Sequence, residues 1–498
     1  MREEILRMER VTLRSEGEEQ LDNFSLSVMR GEILGLIPAN NYGIKSLVNI
    51  LQNNPPLHYG YVYYRERLVN SWNQPRHGTN RISFIGNRDS LADKLTIADN
   101  IFVLRHGFKK RVIHPSVLEK QLQPFLDDIH VTIRAEAGVD SLTHFERLVV
   151  ELLKAVVAGN WLIVMEDAST LVSSGELERL HEILVHYAKQ GFSFIYIEPH
   201  YEEMQKICDR IALMDNGQII KIVSVDQNMP QTLVTRETIS YEQAVRKNLL
   251  RITDRQKKKE KILDVCRLTQ NTIHHLDFSV NRGECLAVQD VDNIIMTDLI
   301  KILDGEERIQ QGGIYIEGTE VCYGNDRRIA VIQEIPVESM IFDKLSYLDN
   351  LCFCLDHRMN HIWRSNKVKK SIRKEMGAFL GEDVFDKQIN ELTQEERYAL
   401  VYMRIYLQRP KVVFCINPFK MAGVSLRMYI LKLMQTLLDK DISVVILSIN
   451  LSDSIAIADR LLRVRKDEPP REYSREEFKN LPGTTPWRHI YCDDIKQV

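Results

Sequence analysis

The sequence predicts an α/β protein in which two similar domains follow one another, each built on a mainly parallel sheet flanked by helices. Three observations indicate this fold class. Short apolar strands alternate with helical segments, which is typical of parallel sheets covered on both faces. The same order of segments occurs twice along the chain. The length of 498 residues exceeds what one hydrophobic core supports.

The first repeated segment is a strand in which apolar and polar residues alternate, followed by a turn at Arg-Gly-Glu and a short apolar strand. It covers residues 21–37 in the first half and 276–288 in the second. Alternation followed by an uninterrupted apolar run predicts a half-buried strand that leads into a fully buried one. This segment aligns the two halves.

Two further segments repeat in the same order. In the first half, Leu142-Thr-His-Phe-Glu-Arg precedes a helix and the strand 162–165, and in the second half Leu392-Thr-Gln-Glu-Glu-Arg precedes a helix and the strand 412–415. Near the end of each half, an apolar strand leads to an Asp-Arg pair that starts another strand. The repeat indicates duplication of a domain of ordinary size.

The duplication sets the predicted domain boundaries. Residues 1–225 form the first domain and 262–464 the second, while the polar segment 226–261 contains Pro230 and is interpreted as the connector. Residues 465–498 form a tail in which Asp467-Glu-Pro-Pro-Arg is expected to break regular structure.

Composition limits the possible functions. The net charge of −3 gives no general reason to expect nucleic-acid binding, and the basic run 255–261 is interpreted as a solvated linker. Eight cysteines without paired spacing indicate reduced thiols in a cytoplasm. No signal peptide or membrane-spanning run is recognised. The expected location is therefore cytoplasmic, peripheral on the inner face of the cell membrane only through a partner.

The ordered segments resemble the ATP-binding subunit of bacterial ABC importers for simple sugars such as ribose, galactose and xylose. The resemblance covers about residues 8 to 464 and is most specific at 84–102, after the Q-loop, and at 150–155, after the signature motif. It implies two tandem ABC-ATPase domains of P-loop NTPase-like fold, each with an antiparallel β subdomain and a helical subdomain. It also implies ATP and Mg²⁺ as ligands and a membrane permease as partner.

The first phosphate loop departs from the pattern that the resemblance implies. Such a loop surrounds phosphates with backbone N–H groups at a helix N-terminus, and a lysine and a hydroxyl complete the site. Here Ile44 stands at the lysine position, and Pro38 and Asn41 replace two glycines. Any remaining nucleotide contact is expected to be weak. The candidates for it are Asn40, Asn41, Gly43, Lys45, Ser46 and the Q-loop equivalent Asn87.

The second loop departs further. Residues 288–299 contain no glycine, and Met296 stands at the lysine position. Asp290 and Asp292 are expected to face the phosphate space and repel a phosphate, because like charges repel at short range. Thr297 keeps the hydroxyl.

The acidic positions have changed in both halves. In working ATPases of this family an Asp orders magnesium and the following Glu polarises the attacking water. The first half reads Glu166-Asp167 and the second Ile416-Asn417. Two interpretations of the first pair remain open: charges that cap the next helix, or residual magnesium binding by Ser46 and Glu166. No catalytic residue is assigned beyond these two carboxylates.

Other motif positions also depart from the pattern that the resemblance implies. The switch histidine corresponds to Pro199 and Ile449, and His200 is interpreted as a surface or capping residue. In the signature loops, Thr143 and Thr393 keep hydroxyls but the glycines are replaced.

Three functions follow as hypotheses. The leading one is a pseudo-ATPase that docks on or regulates a sugar transport system, with a permease-like membrane subunit as partner and another ABC ATPase or a second copy as further candidates. The alternative is an importer ATPase with slow turnover at the first site, where ATP and Mg²⁺ bind weakly. The third is a soluble regulator unrelated to transport. Mg-ATP titration separates the first two.

Overall fold

The computed structural model describes residues 3–14, 20–40, 42–73, 79–86, 90–103, 114–225, 260–324, 326–353, 355, 366–451, 453–466 and 468–481. The chain divides into two compact units, Met1–Leu233 and Val234–Val498. The division falls within the predicted connector, of which only Glu260 and Lys261 are described. Lys261, the last residue of the basic run, is exposed and begins strand β11 (Lys261–Gln270).

The first unit contains a four-stranded antiparallel sheet, in the order β2-β1-β4-β5, and a six-stranded sheet, in the order β10-β9-β3-β8-β7-β6. In the larger sheet only β9 and β10 pair antiparallel. The strands are β1 (Glu4–Leu13), β2 (Leu21–Met29), β3 (Ile33–Pro38), β4 (Tyr59–Tyr64), β5 (Arg67–Ser71), β6 (Ile82–Ile85), β7 (Leu162–Glu166), β8 (Ser193–Ile197), β9 (Arg210–Asp215) and β10 (Gln218–Ser224).

Helices cover the larger sheet of the first unit. The helices are α1 (Ile44–Asn53), α2 (Ile97–Phe102), α3 (Pro115–Asp128), α4 (His144–Val157), α5 (Ala168–Leu171), α6 (Ser174–Lys189) and α7 (Tyr201–Gln205). The strands β3 and β8 are buried along their whole length, as expected for central strands with both faces covered. Helix α2 contacts both α3 and α4.

The second unit repeats this topology, with an antiparallel sheet in the order β12-β11-β14-β15 and a larger sheet in the order β16-β17-β18-β13-β19-β20. Its strands are β11 (Lys261–Gln270), β12 (Ile273–Asn281), β13 (Cys285–Asp290), β14 (Gln311–Ile316), β15 (Thr319–Glu320), β16 (Ile329–Ile332), β17 (Val412–Ile416), β18 (Ser443–Ser448), β19 (Arg460–Arg465) and β20 (Glu468–Ser474). Its helices are α8 (Met296–Leu303), α9 (Pro336–Ser339), α10 (Tyr347–Cys352), α11 (Asn366–Leu380), α12 (Gln394–Gln408), α13 (Val424–Leu438) and α14 (Ser454–Ile457).

The repeated turns explain why both units fold alike. Glu32, in the first Arg-Gly-Glu turn, pairs with Arg210 at the start of β9 at 2.6 Å between Oε1 and Nε. Glu284 pairs in the same way with Arg460 at the start of β19, also at 2.6 Å. These ion pairs join the strand pair β2–β3 to β9, and β12–β13 to β19. The predicted duplication and fold class are confirmed.

The prediction for the tail is wrong over residues 468–480. Strand β20 pairs antiparallel with β19, and a 3-10 helix follows at Arg475–Asn480. Pro469 and Pro470 are accommodated because β20 is an edge strand, where a missing N–H is tolerated. Within the described parts of the chain, no helix is long and apolar enough to cross a membrane.

Candidate functional site

The first phosphate-loop equivalent lies at the carboxyl end of β3, between that strand and α1. Helix α1 begins at Ile44, so the residue aligned with the phosphate-loop lysine occupies the first helical position. Ile44 is half-buried, Lys45 is exposed and Ser46 is buried. The lysine is therefore one position later than in a phosphate loop, and successive helical residues point about 100° apart.

Asn40 holds this loop against the β9–β10 turn. Its Nδ2 donates to Asp215 Oδ1 at 2.8 Å and to Asn216 Oδ1 at 3.0 Å. Its Oδ1 accepts the backbone N–H of Tyr42 at 3.1 Å. A phosphate contact through the Asn40 side chain would have to replace these bonds, so that role stays a prediction. Asn41 and Asn87 lie outside the described residues.

Gly43 is required by local packing. It has a left-handed φ of 77°, and a Cβ at this position would lie 2.6 Å from the carbonyl oxygen of Gln20 and 2.7 Å from Leu21 Cδ2. Both contacts are shorter than real Cβ contacts. The surviving glycine of the loop therefore has a structural reason to be glycine.

The acidic pair follows directly from β7. Glu166 ends the strand and is half-buried, and Asp167 is a buried residue at the N-cap position of α5 with a left-handed φ of 50°. The Asp167 backbone N–H donates to the carbonyl of Ile197 at 2.9 Å. Its side chain makes no cap hydrogen bond. The capping interpretation is therefore wrong for the Asp167 carboxylate, although the residue stands at the cap position.

His200 stands at the N-cap position of α7, although its side chain makes no cap hydrogen bond. The interpretation as a surface residue is wrong. The histidine is buried beside the fully buried carboxylate of Glu198, with 2.9 Å between Nδ1 and Oε1. Ser169 Oγ donates to the same Glu198 oxygen at 2.6 Å. Sequence reasoning missed Glu198, although a carboxylate directly after an apolar strand was a visible signal. The cluster joins the ends of β7 and β8.

The signature-loop equivalents begin α4 and α12 with a capping box. Thr143 Oγ1 accepts the backbone N–H of Glu146 at 3.2 Å, and the Glu146 carboxylate accepts the N–H of Thr143 at 2.9 Å. Thr393 and Glu396 make the same pair at the same distances. The retained hydroxyls are therefore engaged within their own helices.

The second phosphate-loop equivalent encloses a carboxylate of the protein itself. Asp290, the last residue of β13, accepts the backbone N–H of Ile294 at 2.9 Å and those of Ile295 and Met296 at 2.8 Å each. Burial raises the pKa of Asp290 above its ordinary value, and the three N–H groups offset only part of this rise. The Asp290 carboxylate is therefore bound by the N–H groups of its own loop, whereas the sequence predicts only that it repels a phosphate.

The neighbouring residues of this loop point elsewhere. Asp292 is exposed, and its Oδ2 accepts the backbone N–H of Lys466 at 2.7 Å, so the expectation that it faces the phosphate space is wrong. Met296 is buried at the first position of α8, and Thr297 is exposed.

Asn417 stands where the family resemblance implies the water-polarising carboxylate of the second unit. Its Nδ2 donates to Glu334 Oε1 at 2.6 Å, and Lys420 Nζ binds Glu334 Oε2 at 2.6 Å. Sequence reasoning missed Glu334 because it lies 83 residues earlier in the chain. Among the residues with described positions, no group of three His, Cys, Asp or Glu side chains is arranged to hold a metal.

Comparison with curated proteins finds relatives that extend over nearly the whole chain. The ribose import ATP-binding protein RbsA of Clostridium tetani is 23% identical, over 95% of this chain and 95% of its own. The xylose import ATP-binding protein XylG of Geobacillus kaustophilus is 22% identical, over 96% and 97%. The galactose/methyl galactoside import ATP-binding protein MglA of Clostridium perfringens is 21% identical, over 96% and 95%. The resemblance to simple-sugar importer subunits is confirmed.

Solved structures agree on the fold. The RNase-L inhibitor has a TM-score of 0.58 at 14% identity, over 95% of this chain and 92% of its own. The archaeal ribosome recycling factor aABCE1, solved with a ribosomal stalk protein, has a TM-score of 0.54 at 14% identity, over 93% and 89%. No protein-family model matches the chain.

Proposed function

We propose that this chain is an ABC-type subunit that does not hydrolyse ATP and that docks on, or regulates, a membrane transport system for a simple sugar. One observation carries the proposal. The helices after both phosphate-loop equivalents begin with an apolar residue, Ile44 in α1 and Met296 in α8, where a lysine would reach the phosphates.

The energetic consequence is large. A charge-assisted hydrogen bond to a phosphate contributes about 1.5–3 kcal/mol. Loss of the lysine and of one or two loop donors therefore removes about 4–6 kcal/mol, or about three to four orders of magnitude in affinity. A micromolar site becomes a millimolar one.

The acidic positions support the same conclusion for catalysis. In the second unit, Asn417 carries an amide, which does not accept a proton from water, and the nearby Glu334 is paired with Lys420. In the first unit, Asp167 is one methylene shorter than the glutamate of working ATPases. Misplacement by about 1 Å costs about two orders of magnitude in rate.

An exposed aromatic pair supports a docking role. Phe342 and Phe353 are 42% and 43% exposed, and their ring centroids are 4.4 Å apart. Phe342 lies between β16 and α10, and Phe353 directly follows α10. This segment corresponds to the one from β6 to α2, where the family resemblance implies a groove that grips a cytoplasmic helix of the partner. In the first unit, the corresponding positions carry the smaller side chains of Ala92 and Val103, both half-buried; Ala92, like Phe342, donates its backbone N–H to the asparagine of the following helix. The second unit is therefore the better docking surface for an apolar helix.

The partner proposed is a permease-like membrane subunit, which would hold the chain on the inner face of the cell membrane. The relatives named as sugar import proteins support this context. The test is co-purification of the full chain with a co-expressed sugar-importer permease. We expect Phe342→Ser/Phe353→Ser to lose the complex.

The chain provides a matched control for this experiment. Tyr59 and Trp72 form a stacked pair in the first unit, each 45% exposed, with centroids 5.9 Å apart. Tyr59→Ser/Trp72→Ser should keep the complex. Equal loss in both double variants, or in neither, would contradict the docking surface.

The alternative is residual turnover at the first site. Ser46 is buried in the first turn of α1 beside the exposed Lys45, and Glu166 and Asp167 supply two carboxylates. ATP hydrolysis that is lost in Glu166→Gln would establish this alternative and refute the non-hydrolysing proposal.

A further inference from the structure

The loop between β13 and α8 has the form of an anion-binding loop. Three successive backbone N–H groups, from Ile294, Ile295 and Met296, converge on one carboxylate. Successive N–H groups at a helix N-terminus form a concave site for anions, which the helix dipole reinforces. The anion present here is the side chain of Asp290, which is 2% exposed.

The geometry points to Asp290 as an internal substitute for a nucleotide phosphate: its carboxylate occupies the N–H groups of the loop and closes the second unit to phosphate ligands. Because each N–H is already bound, a phosphate could enter only by displacing this carboxylate. Asp290, the last residue of β13, therefore prevents nucleotide binding in this unit.

The first unit shows what Asp290 has changed. The strands β3 and β13 both have six buried residues, and the helices α1 and α8 begin at equal distance after them. Pro38 ends β3 where Asp290 ends β13. A proline side chain carries no charge, so the first loop has no internal anion at this position. The closure is therefore specific to the second unit.

The hydrogen bonds also explain how a carboxylate is kept in a buried place. Removal of a charge from water is unfavourable unless hydrogen bonds compensate for the lost hydration. Charge-assisted bonds from three N–H groups are stronger than neutral ones. Asp290 therefore joins β13 to α8 as well as excluding phosphate, and the inference does not depend on a docking function.

The test uses the full chain, with pyrophosphate as the probe and sodium chloride of equal ionic strength as the reference. Asp290→Ala should lower the unfolding temperature in chloride, and 20 mM pyrophosphate should raise that temperature by about 3 °C, because binding to the folded state stabilises it. The wild type and Asp292→Ala should both respond less than Asp290→Ala, and equally, because only a weak site in the first unit is open to them. Asp292 binds Lys466 instead of the helix N-terminus.

Two results would overturn the inference. One is a folded Asp290→Ala that does not respond to pyrophosphate, and the other is a wild type that responds as strongly as the variant. If Asp290→Ala is too unstable to purify, its refolding from urea gives the same readout. A higher yield of folded protein in pyrophosphate than in chloride supports the inference, and equal yields overturn it.

Discussion

Replacement of Gly43 by alanine tests whether this glycine is required for packing or for phosphate binding. The substitution adds one Cβ in a backbone of φ 77°, 2.6 Å from the Gln20 carbonyl oxygen and 2.7 Å from Leu21 Cδ2. If Gly43 is kept for packing, the variant loses stability without any nucleotide present. If it is kept only for phosphate, the apo protein loses no more than the cost of a left-handed alanine, about 1–2 kcal/mol.

The magnitude follows from two terms. A left-handed alanine costs about 1–2 kcal/mol relative to glycine. The forced contacts add about 1–3 kcal/mol, as in overpacked sites, because backbone atoms must move. The expected loss is therefore about 2–5 kcal/mol in the free energy of unfolding of the first unit.

Gly159 provides the control. Its φ is 70°, and an added Cβ would meet no atom within 4 Å. Gly159→Ala should therefore show the backbone term alone, about 1–2 kcal/mol. Urea unfolding followed by circular dichroism measures both variants. Equal losses at the two positions would refute the packing argument for Gly43.

Three further predictions concern stability. Thr143→Ala should lower the free energy of unfolding by about 1 kcal/mol through loss of the α4 cap, and Thr143→Ser should restore most of it. Asp453→Asn should cost about 3–5 kcal/mol, because it leaves the buried guanidinium of Arg427 without its carboxylate, as urea unfolding can measure. Burial lowers the pKa of His181 to about 4. As the pH falls, this imidazole is therefore protonated in the unfolded chain before it is protonated in the folded protein. The free energy of unfolding should then decrease by about 1.5 kcal/mol from pH 6.5 to pH 5 through this group. Urea unfolding at the two pH values should show a decrease that is smaller by this amount in His181→Gln.

The fold could be predicted because its signals are local and occur twice. The apolar strands, the Arg-Gly-Glu turns and the Asp-Arg strand starts all lie in short segments whose pattern indicates their burial. The capping boxes at Thr143 and Thr393 were also readable from the spacing of Thr and Glu, but were missed.

The remaining site contacts could not be predicted because they depend on partners that are distant in the sequence or on the direction of the backbone. Glu334 reaches Asn417 from another strand end, and the pairing of His200 with Glu198 depends on how the chain turns after β8. The charge of Asp290 predicts repulsion of phosphate, but only the backbone direction shows that the loop binds this carboxylate. The edge position of β20 likewise appears only in the assembled sheet.

The central claim is that neither unit supports ATP chemistry. Calorimetric titration of the purified full chain with Mg-ATP, together with a phosphate-release assay, tests it directly. We expect a dissociation constant in the millimolar range or weaker and no hydrolysis above that of a Glu166→Gln variant. Binding in the low micromolar range, or turnover that Glu166→Gln abolishes, would contradict the account.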